Sequence, residues 1–315
     1  MSNVAANACV SADVVRERLR GGQADIGGRA FEILLLSALL ISLGVLLTLL
    51  VDVVSRGGGV LLERGLDFVV SPLSREPSDA GIGQGLFGSI ALMLIVALTA
   101  FPIGIGAAIY LEEYARDTRF TRFVTANIRN LAGVPSIVYG LLGLAVFVVA
   151  LRGIMGPDSQ GRSILAGGLT LAILVLPIVI ITTSEALRAV PSGIREAAYG
   201  VGATRWQAVR SHVIPYAAPG ILTGTILSMA RAFGETAPLI MVGGAVSFLS
   251  TGDRGLIETL QGKYTTLPTS IWLWVQQPRR EFIELSAAGI IALLVAILLV
   301  NGLAIILRNR YARRW

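Results

Sequence analysis

Six apolar runs, each of about 20 residues or more, constrain the fold of this chain more strongly than any other feature. A helix of that length crosses the hydrocarbon core of a bilayer, because each residue adds about 1.5 Å along the helix axis. The runs cover residues 31–54, 84–110, 130–151, 164–186, 217–244 and 285–307. We therefore expect an all-α membrane protein with six transmembrane helices.

The composition agrees with this expectation. Hydrophobic residues make up 54% of the 315 residues, charged residues make up 15%, and the mean hydropathy is +0.73. Such a chain is not a soluble globular domain of ordinary composition. The first run, 31–54, is too long for the core of a signal peptide, and no small-residue cleavage site follows it. It is therefore predicted to remain as an N-terminal anchor helix behind a tail of residues 1–30.

Positive charge is distributed unevenly between the predicted loops. Sixteen of the 26 Lys and Arg residues fall in the N-terminal tail, the second and fourth loops and the C-terminal tail 308–315. Nine fall in the other loops, and Arg231 lies within a run. Because positive charge is enriched on the cytoplasmic side of membranes, both termini and the fourth loop are predicted to be cytoplasmic. In so apolar a chain, the net charge of +6 indicates topology and not nucleic-acid binding.

The fourth loop contains a polar segment, REAAYGVGATRWQAVRSHVIP, between residues 195 and 215. It predicts a short helix, a turn at Gly200 and Gly202, and a second short helix that ends near Pro215. Glycine tolerates positive φ at such a turn and lets the two helices fold closely together. A helical hairpin held outside the bilayer by two spans is suited to docking another protein and passing its motion inward.

This segment resembles the EAA loop in the permease subunits of bacterial ABC importers, whose pattern is E-A-A, three residues, G, nine residues and I-x-L-P. The residues that match it are Glu196, Ala197, Ala198, Gly202 and Pro215. His212 departs from the usual isoleucine, and Ile214 replaces leucine. Three further strings resemble PstA-type phosphate permeases: FPIGIGAAIYLEEYA (101–115), NIRNLAGVPSIVYGLLGL (128–144) and LSMARAFGETAPLIMVGG (227–244).

The resemblance implies a type I ABC importer permease fold, with a five-helix core (80–307) and a cytoplasmic coupling loop (187–216). It implies a bacterial cytoplasmic-membrane assembly with a second homologous, PstC-like permease, two PstB-like ATPase subunits and an extracytoplasmic, PstS-like phosphate-binding protein. Phosphate would be the substrate, and no cofactor is expected. The residues implied in coupling to the ATPases are Glu196, Ala197, Ala198 and Gly202, with the small alanines letting the helix sit deep in an ATPase groove.

Arg231 and Glu235 support the most specific chemical hypothesis. They lie near the middle of the fifth run, four residues apart, and hence on one side of a continuous helix. An arginine at bilayer mid-depth costs about 2.5–3.5 kcal/mol on insertion scales, so it requires a partner or a watery cavity. In one interpretation Arg231 lines the phosphate path, because a guanidinium binds phosphate oxygens bidentately, and Glu235 competes with the anion. In the other, the ion pair only fixes helix packing.

Missing motifs narrow the function classes. No G-x-x-x-x-G-K-[ST] occurs, so the chain is not expected to hydrolyse ATP, and neither H-E-x-x-H nor G-x-S-x-G supports a hydrolase. The single cysteine, Cys9, and the single histidine, His212, form no disulfide or metal cluster. Two alternatives stay open: a permease for phosphonate, molybdate or sulfate, and an ATP-independent secondary transporter or channel.

Three weaker features are interpreted structurally. Glu112 and Glu113, at the end of the second run, predict a solvated helix terminus. Gly220 and Gly224 form a G-x-x-x-G pattern, which either permits close helix packing or reflects the frequency of glycine in spans. The short apolar run 271–274, which contains two tryptophans, predicts an interfacial segment in the long loop before the sixth span.

Overall fold

A computed structural model describes residues 26–244 and 255–312, and the regular structure within these ranges is entirely helical. The all-α prediction is therefore confirmed for this part of the chain. The chain divides into two compact units, Met1–Asp52 and Val53–Trp315.

The helices are numbered in chain order. The first six are α1 (Ile26–Val70), α2 (Gly83–Ile109), α3 (Arg119–Ala132), α4 (Ser136–Gly143), α5 (Arg152–Met155) and α6 (Ile164–Arg188). The remainder are α7 (Ser192–Gly200), α8 (Arg205–Ala208), α9 (Ile214–Gly234), α10 (Ala237–Met241), α11 (Leu256–Leu260), α12 (Leu267–Val275) and α13 (Arg280–Ala312). Three π-helical segments adjoin them: π1 (Tyr110–Tyr114), π2 (Leu144–Ala150) and π3 (Val209–Val213).

Helix α1 contains the predicted anchor. It begins at Ile26, before the predicted start of the span, and its helical geometry is interrupted at Gly65, where φ is 49° and ψ is −121°. In the first unit, the side chains of residues 27–52 are exposed although most of them are apolar. A helix that is apolar on all sides is stable when lipid surrounds it. The predicted tail 1–30 overlaps the start of this helix, and residues 1–25 lie outside the described part.

Five helical stretches in the described ranges are long and apolar enough to cross a membrane. They are Gly27–Val70, Gly83–Tyr114, Ile164–Arg188, Arg205–Gly234 and Arg280–Arg310. A sixth candidate is the pair Arg119–Ala132 and Ser136–Ala150, which is bent by 102°. Counting this bent pair as one span gives the six spans that the apolar runs predict.

The third apolar run, 130–151, is not one straight helix. Helix α3 ends at Ala132 and α4 begins at Ser136, after a break at Gly133–Pro135. Proline disfavours the α conformation in the residue before it, which explains the break. The hydroxyl of Tyr139 donates a hydrogen bond of 2.9 Å to the Leu131 carbonyl and ties the two arms of the bend together.

The boundaries of the fifth span also differ from the prediction. The second helix of the polar segment does not end near Pro215 but continues through π3 and α9 to Gly234. Pro215 occupies the first turn of α9, directly after π3, where the missing N–H is tolerated. The helix then stops at Glu235, whose backbone is extended (φ −74°, ψ 124°), so the run 217–244 contains a helix end and a separate short helix, α10.

Close packing between α6 and its neighbours forms the centre of the second unit. A Cβ added at Gly104 of α2 would meet Val179 of α6 at 2.7 Å, and one at Gly220 of α9 would meet Ala186 of α6 at 2.8 Å. Gly224, the second glycine of the G-x-x-x-G pattern, lies against Thr182. The two glycines thus do permit close helix packing, and α6 is clamped between α2 and α9.

The segment predicted to be interfacial is partly buried in the protein core, because Ile271 and Trp274 are buried whereas Trp272 is 38% exposed. Trp274 of α12 is only 2% exposed and packs against Phe68, with 6.2 Å between the ring centroids. Thr266 caps α12, and the backbone N–H of Leu267 donates to the Ser89 hydroxyl at 3.0 Å. Helix α12 is too short to span a membrane, and the backbone at its N-terminal end is hydrogen-bonded by side chains of the protein.

Candidate functional site

The predicted helical hairpin forms around a glycine turn. Helix α7 ends in a Schellman motif: the N–H of Ala203 donates to the Ala198 carbonyl at 3.0 Å, and the N–H of Gly202 donates to the Tyr199 carbonyl at 2.9 Å. Gly202 has φ +82°, in the left-handed region that only glycine adopts without strain. The G of the EAA pattern is therefore the residue that allows the chain to reverse.

The second arm of the hairpin starts with a capping box. The Gln207 N–H donates to the Thr204 hydroxyl at 3.3 Å, and the Thr204 N–H donates to the Gln207 side-chain oxygen at 2.8 Å. From this start one helical stretch, which includes π3, runs from Arg205 to Gly234. The arm of the hairpin and the fifth span are thus one continuous helical rod.

The two alanines of the pattern face in different directions. Ala198 is buried within the chain, whereas Glu196 and Ala197 are exposed. Large apolar side chains on and beside the turn are also exposed, including Tyr199, Val201 at 85% and Trp206. The pattern had not identified these three. Large apolar residues beside the predicted glycine turn, within a polar segment, were the sequence signal that could have identified them.

A largely buried ion pair fixes α7 to the end of the second span. Arg195 Nη2 lies 2.6 Å from Glu113 Oε1, and the two side chains are 23% and 5% exposed. The same guanidinium donates to the carbonyls of Val190 and Leu187, each at 2.9 Å. These three contacts are all of hydrogen-bond length, so the charge of the pair is compensated where it is buried. The hairpin is therefore bound to π1 as well as to the end of α6.

A second ion pair lies beside the first. Arg188, the last residue of α6, donates to Glu112 through Nη2 at 2.7 Å and Nε at 2.8 Å, in a bidentate geometry. The expectation that Glu112 and Glu113 form a solvated terminus is therefore wrong for both residues. Their partners lie 76 and 82 positions away in sequence, which a local pattern does not reveal.

The Arg231–Glu235 pair forms as the spacing predicted, but not in the middle of a helix. Arg231 lies in the last turn of α9, and Glu235 is the residue at which the helix ends. Arg231 Nε is 3.3 Å from Glu235 Oε1, and the side chains are 49% and 16% exposed. Arg231 lies about 24 Å along the helix axis from Pro215, so it is nearer the far end of the span than its centre.

The chain beyond this pair is packed tightly. Helix α10 starts at Ala237 and lies on α4, where a Cβ added to Gly140 would meet the Cα of Pro238 at 2.7 Å. The Arg231 guanidinium, before this packed segment, is half-exposed. Within the described residues, no group of three or more His, Cys, Asp or Glu side chains is placed to hold a metal ion.

Comparisons with known proteins agree with the family that the sequence of the hairpin resembles. Residues 100–313 match the family of the binding-protein-dependent transport system inner membrane component. The phosphate transport system permease protein PstA of Yersinia pestis is 32% identical over 276 residues, 86% of either chain. The probable ABC transporter permease protein YqgI of Bacillus subtilis (strain 168) is 31% identical over 252 residues, 77% of this chain and 82% of the relative.

Solved structures of ABC importers share the fold. A bacterial alginate ABC transporter, in complex with an alginate pentasaccharide-bound periplasmic protein, matches with a TM-score of 0.61 at 16% identity, over 90% of this chain and 96% of the other. The MetNI methionine ABC transporter, in an inward-facing conformation, matches with a TM-score of 0.58 at 18% identity, over 73% and 95%. These likenesses show the type I importer permease fold. The chain belongs to the binding-protein-dependent transport system inner membrane component family, and it is a multi-pass inner-membrane permease subunit of an ABC importer.

Proposed function

We propose that this permease imports inorganic phosphate, with Arg231 on the anion path. The observation that carries the proposal is the half-exposed guanidinium at the end of α9, held at 3.3 Å by a carboxylate that is itself mostly buried. The relatives named PstA are described as phosphate transport permeases, which supports phosphate over other anions.

The geometry is suited to weak, reversible anion binding. Only Arg231 Nε is hydrogen-bonded to Glu235, so the two terminal nitrogens keep donors for an oxyanion. A guanidinium matches phosphate oxygens bidentately, while the adjacent carboxylate repels the anion and lowers its affinity. Release of phosphate into the cell requires that the affinity of the site for phosphate be modest. By lowering that affinity, Glu235 would speed the release of the anion.

The hairpin is the proposed contact with two ATPase subunits, which sit on the cytoplasmic side together with both chain termini. Glu196 and Ala197 supply the exposed face of α7, and the apolar residues Tyr199, Val201 and Trp206 add contact area around the turn. Ala198 supports coupling differently: being small, it lets α7 lie close on its own chain. Gly202 makes the reversal possible.

The proposed assembly has a second, PstC-like permease, two PstB-like ATPases and a PstS-like binding protein that delivers phosphate from outside. Closure of the ATPases on ATP would move the hairpin, and the helical rod would pass that motion to the end that carries Arg231. The ATPase site belongs to the partner subunits in this proposal. An ATP-independent transporter is disfavoured because the chain belongs to the ABC importer permeases.

Another oxyanion is the second candidate, because Arg231 would attract sulfate, molybdate or phosphonate by the same chemistry. Solved structures with this fold include importers described as carrying methionine and alginate, so the fold alone does not select the substrate. Competition between anions decides the matter: unlabelled phosphate, and not sulfate, molybdate or phosphonate, should abolish uptake of labelled phosphate in cells with the complete importer.

Substitutions of Arg231 test the path directly. Arg231→Ala and Arg231→Lys should each reduce phosphate uptake strongly while the assembled importer is still recovered from the membrane. Lysine keeps the charge but not the bidentate fork, so a defect in Arg231→Lys identifies the fork as the requirement. Normal uptake by Arg231→Ala would refute the path. Loss of assembly in both variants would support a packing role instead.

A further inference from the structure

A cleft at the hairpin end of the second unit has four arginines among its twelve lining residues. It has a volume of about 560 Å³ and lies between π1, α3 and the last turn of α6. Volumes of about 300–1,000 Å³ are usual for small-ligand sites. The charged side chains around it are Arg116, Arg122, Arg129, Arg188, Glu112 and Asp117. We call it the basic cleft, and we infer that it binds a phosphate group.

The charges of the basic cleft do not cancel. Arg188 is engaged by Glu112 at 2.7 Å, and Arg122 by Asp117 at 3.3 Å. Arg116 and Arg129 line the same cleft, and neither takes part in the ion pairs found among the described residues. Two guanidiniums without a carboxylate partner, in one concave surface, favour an anion with two negative charges or several oxygens.

The lining suits a small polar anion and not an apolar ligand. Besides the charged groups it presents the hydroxyl-bearing Thr121 and Thr125 and the amide of Asn130, and its apolar part is limited to Leu111 and two alanines. Phosphate oxygens accept two parallel hydrogen bonds from one guanidinium, so arginine is the residue type best matched to this group.

The sequence of α3 places the basic cleft beside apolar surface. Its cleft-facing positions recur at helical spacing, with Arg122 and Arg129 two turns apart. On another flank, Phe120 and Phe123 are 74% and 65% exposed. An amphipathic helix with arginines on one flank and phenylalanines on another is typical of a membrane surface. The phosphate group therefore has two possible sources: free inorganic phosphate, or the headgroup of an anionic phospholipid at the edge of the bilayer.

The basic cleft is separate from the proposed transport path, since Arg231 and Glu235 are not among its lining residues. It adjoins the anchor of the hairpin instead, because Glu112, which holds Arg188, precedes Glu113, which holds Arg195. The inference does not depend on phosphate being the transported substrate.

Binding is tested on the assembled importer carrying the full chain with Arg231→Ala, so that the proposed path site does not contribute. In nanodiscs of phosphatidylcholine, radiolabelled inorganic phosphate is titrated by equilibrium binding. In nanodiscs that also contain phosphatidylglycerol, native mass spectrometry counts the lipids that stay with the importer. The first arm detects a free-phosphate site, and the second detects a headgroup site.

The double substitution Arg116→Gln and Arg129→Gln is expected to weaken phosphate binding about tenfold or more in the first arm, or to remove a retained phosphatidylglycerol in the second. Arg119→Gln is the matched control, because Arg119 is an exposed arginine of the same helix outside the basic cleft. A loss in either arm that Arg119→Gln does not reproduce supports the inference and identifies the source. If the double variant changes neither arm, or Arg119→Gln has an equal effect, the inference is wrong.

Discussion

The ion pair between Arg195 and Glu113 is expected to control how firmly the hairpin is held on the membrane core. Glu113→Gln keeps the shape of the side chain but removes the charge that faces Arg195 at 2.6 Å. Arg195 keeps its two carbonyl acceptors, Leu187 and Val190, so it loses its counter-charge and not all of its hydrogen bonds. The guanidinium is then left only partly compensated in a mostly buried position.

The size of the effect follows from the burial. Breaking a buried ion pair by removing one partner costs about 3–5 kcal/mol. Arg195 is 23% exposed and keeps its carbonyl contacts, so the lower end, about 3 kcal/mol, is expected. If that energy is lost between the docked and displaced positions of the hairpin, their equilibrium changes by about 150-fold.

The assay measures both the thermal stability of the importer and its coupling of ATP hydrolysis to anion import. A double-mutant cycle of Glu113→Ala and Arg195→Ala is measured by thermal unfolding of the assembled importer, alongside the number of ATP molecules hydrolysed per anion imported. We expect strong non-additivity in the cycle and wasteful ATP hydrolysis in each single variant. The exposed pair Arg279–Glu76, at 3.3 Å, is the control and should give a coupling energy of about 0–1 kcal/mol.

Two results would refute this reasoning. One is additivity of Glu113→Ala and Arg195→Ala within about 0.5 kcal/mol, which would mean that the two residues act independently. The other is a Glu113→Gln importer that keeps the ATP-to-anion ratio of the native one. A purely structural role would change the thermal midpoint alone, so the ratio separates anchoring from coupling.

Three further predictions concern the hairpin. Gly202→Ala should destabilise the turn by about 1–2 kcal/mol because alanine is strained at φ +82°, and should lower uptake at unchanged ATP hydrolysis. Ala198→Trp should displace α7 and reduce both the thermal stability of the importer and its uptake, since Ala198 is buried, whereas Ala197→Ser at the exposed neighbour should be tolerated. Trp206→Ala should reduce copurification of the ATPase subunits without changing the helix content measured by circular dichroism; full copurification would exclude this side chain from the contact.

The spans were predictable because hydropathy over about 20 residues is a direct signal of a membrane helix. Their interruptions were not, because glycine, valine and proline are not polar enough to divide a run. The break at Gly133–Pro135 lies inside the run 130–151 for that reason. Pro135 itself was a usable signal, since the residue before proline avoids the α conformation.

Side-chain pairing was predictable only within one helix. The spacing of four residues indicated that Arg231 and Glu235 meet, and they do. Glu113 and Arg195 are on separate elements, and each has several charged neighbours at the same predicted side of the membrane. Positive-charge counting places such residues on one side but does not choose partners among them. That choice depends on where π1, α6 and α7 pack.

We expect the helical stretch from Arg205 to Gly234 to couple the hairpin to Arg231. A helix is stiff along its axis, so a displacement of the hairpin arm is carried over the roughly 39 Å to Arg231 instead of being absorbed within the span. Two features modify this transmission. One is the stretch of π3 followed by Pro215, where a backbone donor is missing. The other is the close contact of Gly220 and Gly224 with α6. We expect the first to bend and the second to act as a pivot, because Gly220 and Gly224 let α9 lie directly against the small side chains of Ala186 and Thr182 on α6. We therefore expect motion of the hairpin to reach Arg231 as a tilt about the glycine contacts, which displaces the half-exposed guanidinium near the end of the helix opposite the hairpin.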